Sequence, residues 1–169
     1  MIDLEELISS QQRAGFADLA GARVAAFLPI SDRLLNEIIA RELPPDAPVS
    51  DVSLESLAGN RIAVRARLTR ATILPAFKLT LTIVEQPSLP HDPVLVMRIG
   101  SGGLMSLAGA ALKFFDALPA GIKADGDRLL VDIRELLAQR GNDWLLPYLV
   151  DFQVATTAGA VLVTANVQI

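Results

Sequence analysis

The sequence predicts an α+β fold, with one curved antiparallel sheet packed on two main helices and a further helix at the N-terminus. Three observations predict it. Long segments alternate apolar and polar residues with the period of a strand, while two others carry apolar residues at i, i+3, i+4 and i+7, the period of a helix. The alternating segments are joined by short Gly-, Asn- and Asp-containing turns, which suit antiparallel neighbours. The chain has 169 residues, 51% hydrophobic and 20% charged. That is enough for one domain with a sizeable core, so residues 1–21 read as a helical extension and residues 22–169 as a single α+β domain.

In chain order, Asp3 to Arg13 reads as a short helix whose acidic start suits the positive end of the helix dipole. Ala22 to Ile30 alternates as a strand, with Val24, Ala26, Leu28 and Ile30 on one side. Ser31 is placed as an N-cap, with Ile30 and Leu35 spaced as a hydrophobic staple. The helix from Asp32 to Leu43 turns Leu34, Leu35, Ile38 and Ile39 inward and Asp32, Arg33, Asn36, Glu37 and Arg41 outward, with Glu37 and Arg41 as an i, i+4 pair. Pro44 and Pro45 stop it. Strands then follow over Val49 to Leu57, Asn60 to Arg70, Ala76 to Glu85 and Val94 to Ile99. Gly102 to Leu118 is a second helix, apolar almost all round and so expected to be enclosed by protein. A hairpin across Asp125-Gly126 joins Gly121–Ala124 to Arg128–Ile133. Asp132 and Glu135 cap a short helix that runs to Arg140 and ends at Gly141. Trp144 and Tyr148 come next as half-buried amphipathic rings. Val150–Thr156 and Ala160–Ile169 close the chain as two strands.

Composition narrows the function. A net charge of −4 and a pI near 4.9 argue against nucleic acid, because phosphate binding needs a basic surface. Cysteine is absent, which excludes disulfides and thiolate metal sites. The acidic start MIDLEELISSQQR is unlike a signal peptide. The uncharged run from Phe152 to Ile169 is broken by Gln, Thr and Asn and reads as a hairpin rather than a span. The expected location is the cytoplasm.

No catalytic constellation is legible, and no cofactor or metal is expected. His91, the single histidine, lies in a loop beside Asp92 without a nucleophile or second ligand, and reads as a surface residue. Gly100-Ser101-Gly102-Gly103 precedes a helix but lacks both the P-loop lysine and GxGxxG spacing, so a flexible joint explains it better. Asp125-Gly126-Asp127 is a turn rather than a calcium loop, for want of the twelfth-position glutamate. Arg61, Arg65, Arg67 and Arg70 form a basic stripe on one strand face. It reads as a solvated outer face, or alternatively as a contact for anionic lipid or an acidic partner.

The order of elements, and the segments ARVAAFLPISDRLLNEIIARELP (Ala22 to Pro44) and LPAGIKADGDRLLVDI (Leu118 to Ile133), resemble the tubular lipid-binding (TULIP) superfamily and its small bacterial single-unit members. The likeness covers residues 22–169, although the helix from Asp32 is short for the family. It implies a strongly curved sheet wrapped on helices around an apolar tunnel for acyl chains. The expected function is therefore non-enzymatic binding of a lipid or other apolar small molecule, with peripheral membrane contact or homo-oligomerisation as further expectations. The expected wall is Leu35, Ile38, Ile39, Phe77, Leu79, Leu81, Leu104, Leu107, Ala108, Ala111, Leu112 and Phe115. The alternative is an interaction module with a solid core that docks a partner protein. Ala108→Trp or Ala111→Trp separates the two. In a tunnel the indole takes ligand volume, so the variant should fold normally and lose uptake of an apolar fluorescent probe. In a solid core it should overpack, at a cost of about 1–3 kcal/mol in chemical denaturation.

Overall fold

Where apolar and polar residues alternate most strongly, the backbone is extended. The structure, a computed structural model, describes residues 4–47, 49–69, 76–100 and 120–169. Helix α1 (Leu4–Arg13) leads through a 3-10 turn into β1 (Arg23–Ser31), and α2 (Asp32–Glu42) follows directly. Then come β2 (Val49–Leu57), β3 (Arg61–Leu68), β4 (Phe77–Glu85), β5 (Val94–Ile99), β6 (Ile122–Asp125) and β7 (Arg128–Asp132). Helix α3 (Ile133–Gln139), a 3-10 segment (Asp143–Tyr148), β8 (Leu149–Thr157) and β9 (Ala160–Gln168) complete the chain. The second predicted helix, Gly102 to Leu118, lies outside the described residues.

The strands form two antiparallel sheets rather than the one expected. The larger has the order β2-β3-β4-β5-β7-β6 and the smaller β1-β9-β8. Their apolar faces share one core. Phe77, Leu79, Leu81 and Ile83 of β4 pack with Leu95, Met97 and Ile99 of β5, and Val154 and Val161 join them from the small sheet. Because β7 pairs antiparallel with both β5 and β6, β5 and β6 run parallel. The chain leaves β5 at the Arg128 end of β7 and enters β6 at the Val131 end.

Local chemistry explains the joints. The Ser31 side chain accepts a hydrogen bond from the Leu34 N–H and starts α2. Asp132 does the same for α3, accepting from the N–H groups of Arg134 and Glu135. Glu135, expected to complete that cap, pairs with Lys123 at 3.5 Å. The β2–β3 turn needs left-handed backbone at Gly59 (φ 80°) and Asn60 (φ 59°), a conformation that glycine and asparagine tolerate best. Phe16 stacks on Trp144 at 5.3 Å and meets Tyr148 edge-on at 5.2 Å, which ties the N-terminal segment to the end of the domain.

Arg33, Glu37 and Arg41 of α2 face solvent as the sequence suggested, but Asp32 and Asn36 do not. The Asn36 side chain bonds both backbone groups of Leu54, donating to its carbonyl at 2.9 Å and accepting from its N–H at 2.7 Å. Both carboxylate oxygens of Asp32 lie within 3.1 Å of the Ser56 N–H. The helix thus runs along the free edge of β2 and satisfies it. Leu35 is half-buried against the core, while Leu34 and Ile38, read as inward, are 46% and 43% exposed. Glu37 meets Arg33, not Arg41, at 3.9 Å.

Asn36→Ala strips the partner from two backbone groups of a half-buried residue. It should lower the unfolding free energy by about 1–3 kcal/mol, measured as a shifted denaturant midpoint at unchanged slope. A shift below about 0.5 kcal/mol, the range of ordinary surface positions, would mean that water serves this edge as well as Asn36 does.

Candidate functional site

The small sheet has one apolar face, set by its register. Leu28 of β1 lies beside Val163 of β9, which lies beside Val154 of β8. One step toward the open end, Ala26, Ala165 and Phe152 form the next row, and Val24 sits beside Val167. At the inner end this face is core, with Val154 8% and Val161 7% exposed. Toward β1 it opens. Leu28 and Val24 are 56% and 55% exposed, and Val163, Ala165 and Val167 are half-buried between. An apolar wall thus passes from closed core to open surface along one sheet. A large exposed apolar patch is the informative exception on a protein surface.

The expected wall residues fall into three groups. Phe77, Leu79 and Leu81 are buried together on the core face of β4, at 8%, 3% and 8% exposure. Leu35 packs against the same cluster, Ile39 is half-buried, and Ile38 lies at the surface. Leu104, Leu107, Ala108, Ala111, Leu112 and Phe115 lie outside the described residues. The sequence reading did not assign Val24 and Leu28 to the site, although their period-two spacing on β1 was visible. A polar atom also went unnoticed. Ser56 Oγ is buried without a hydrogen-bond partner among the described residues, where β2 meets the β8–β9 turn through a bond from the Gly159 N–H to the Ser56 carbonyl.

The opposite face of the large sheet is basic. Arg61 stands beside Thr82, Thr82 beside Arg98, and Arg98 beside Arg128. In another row, Arg65 lies directly opposite Lys78, an unfavourable like-charge pair. Arg67 reaches Asp51 at 3.6 Å and Arg128 reaches Glu85 at 3.2 Å. Arg65, Lys78 and Arg98 have no carboxylate at ion-pair distance among the described residues. The predicted stripe is therefore wider than one strand. Arg70 lies outside the described residues.

The remaining candidates show no convergence. His91 is exposed in the loop between β4 and β5. The Gly100 N–H bonds the Thr80 carbonyl at 2.8 Å, and a side chain there would press on that carbonyl at 3.3 Å. Close backbone approach therefore accounts for this glycine; Ser101, Gly102 and Gly103 lie outside the described residues. Among the described residues no group of three His, Asp or Glu side chains is placed to hold a metal ion, and no helix is long and apolar enough to cross a membrane.

Comparison with family models, with curated proteins and with solved structures finds no match to this chain.

His91→Ala should change stability by no more than about 0.5 kcal/mol, as at ordinary surface positions. Thermal or denaturant unfolding measures this, and a larger loss would mean that the β4–β5 loop holds a partner for the ring.

Proposed function

We propose that the chain binds a lipid or other apolar small molecule without catalysing a reaction on it. The observation that supports this is the open apolar wall of the small sheet, on which Leu28 and Val24 stand more than half exposed beside half-buried Val163 and Val167. Apolar pockets gather between packed elements, and this wall continues directly into the core between the sheets. In the same reading this wall is one side of a tunnel of TULIP type. The protein would work in the cytoplasm, and the basic face around Arg65, Lys78 and Arg98 would approach anionic lipid headgroups at a membrane surface.

A second reading, an interaction module with a solid core, is favoured by a different observation. Phe77, Leu79 and Leu81 are closed off by their own neighbours in the cluster of core side chains.

Mass spectrometry of an organic extract of the purified protein tests the first reading, which expects a co-purified lipid. Leu28→Lys should leave stability within about 0.5 kcal/mol, since the position is exposed. It should also weaken uptake of an apolar fluorescent probe by about tenfold or more, because a charge on an apolar wall must be desolvated when the ligand binds. An extract free of lipid, with probe uptake equal in parent and variant, would leave the solid-core reading in its place.

A further inference from the structure

The two sheets of the described structure end in four edge strands, β2 and β6 in one and β1 and β8 in the other. Three are protected. Asp32 and Asn36 occupy the edge of β2. The Gln86 side chain bonds both backbone groups of Val154 on β8, and Asn60 Oδ1 accepts from the Thr156 N–H one step along. β6 has only four residues and carries Lys123 and Asp125, a short charged edge that resists pairing.

β1 differs. It has nine residues, and Arg23 is its one charged side chain. The Ile169 N–H bonds the Ala22 carbonyl, and the Asp32 N–H bonds the Gly159 carbonyl. In the register of β1 with β9, both bonds give even-numbered residues the inward phase. Arg23, Ala25, Phe27, Pro29 and Ser31 therefore turn their backbone groups to the free side. Pro29, which has no N–H, falls in that phase, as proline in an edge strand should. Among the described residues no hydrogen bond reaches the outward groups of Ala25 or Phe27. The side chains are apolar on both faces of the strand, with Phe27 65%, Leu28 56% and Val24 55% exposed.

We propose that β1 is a dimer interface, in which β1 of a second copy pairs antiparallel with it across a twofold axis. A twofold makes the edge complementary to itself, because each outward donor then meets an outward acceptor of the same strand. With the axis at Ala25, Ala25 pairs with its own copy and Arg23 stands beside the partner's Phe27, where a guanidinium can lie on the ring. Pro29 then falls at the end of the ladder. An axis at Phe27 would set Pro29 opposite Ala25 and lose an interior bond. On the face away from the apolar wall, Phe27 adds a large side chain, 65% exposed, to the backbone edge. The dimer would join two three-stranded sheets into one of six. It does not depend on what binds the apolar wall.

Sedimentation of the full chain from about 1 to about 100 µM tests this, the range over which a micromolar association develops. The dimer should grow with concentration. Ala25→Pro removes an outward N–H in the phase already held by Pro29 and spares the ladder to β9. Two bonds per dimer are lost, so association should weaken about tenfold, with the circular dichroism of the fold retained. Phe27→Lys should give the same loss through a side chain alone. Ala25→Cys, in a chain that otherwise has no cysteine, should cross-link on oxidation, because Cα atoms about 5.5 Å apart in a hydrogen-bonded pair suit a disulfide. A parent chain monomeric throughout the range would overturn the proposal. So would association undiminished in both Ala25→Pro and Phe27→Lys. Slow amide exchange at Ala25 and Phe27 in a monomer would also overturn it, by showing that another segment of the chain holds the edge.

Discussion

An antiparallel sheet ends in strands whose outward N–H and C=O groups must still find partners, and leaving them buried and unpaired is costly. At β2 and β8 polar side chains meet that demand, and in doing so they join the parts of the molecule. Gln86 follows β4 of the large sheet and clamps β8 of the small one. Asn60, in the β2–β3 turn of the large sheet, bonds the same strand through Thr156, whose hydroxyl accepts from the Arg61 N–H. Asp32 and Asn36 fasten α2 to β2. Residues distant in sequence are thereby fixed at hydrogen-bond distance, and each bond has a stated direction and register. Apolar packing between two sheets tolerates sliding by comparison, because it is not directional.

The same requirement explains why the strands divide into two sheets. β2 ends at an edge already occupied by a helix, so neither β8 nor β9 can extend the large sheet through it. The β8–β9 turn instead crosses that edge. The Gly159 N–H reaches the Ser56 carbonyl, and its own carbonyl takes the Asp32 N–H. The small sheet is left facing the large one, with Val154 and Val161 in a shared core. Beyond the reach of the large sheet, its apolar face continues to Leu28 and Val24 without a cover among the described residues. The open wall and the edge of β1, unprotected among the described residues, are thus two consequences of one arrangement.

Charge is sorted by face. The chain is acidic as a whole, yet the outer face of the large sheet gathers Arg61, Arg65, Arg67, Lys78, Arg98 and Arg128. Ion pairs at two of these positions are exposed, and such pairs add little stability. A like-charge neighbour such as Arg65 beside Lys78 does not help the sheet.

Periodicity alone determined most of the strands. β2 and β5 have the bounds that alternation predicts, and β3, β4, β8 and β9 differ from prediction by a residue or two at their ends. Capping chemistry determined where α2 and α3 begin, since Ser31 and Asp132 supply acceptors that the neighbouring backbone lacks. These features rest on interactions a few residues apart, which a sequence displays directly. What only the tertiary structure decided is what each face meets. A polar residue on a helix looks the same in sequence whether it meets water or the edge of another strand, so Asn36 and Asp32 read as solvated when they hold β2. An alternating strand likewise reveals its two faces but not which is covered, so Val24 and Leu28 read only as sharing one side of β1. Whether an apolar side chain is enclosed depends on elements distant in sequence. That dependence divided the strands into two sheets and, among the described residues, left β1 open at its edge and on its apolar face.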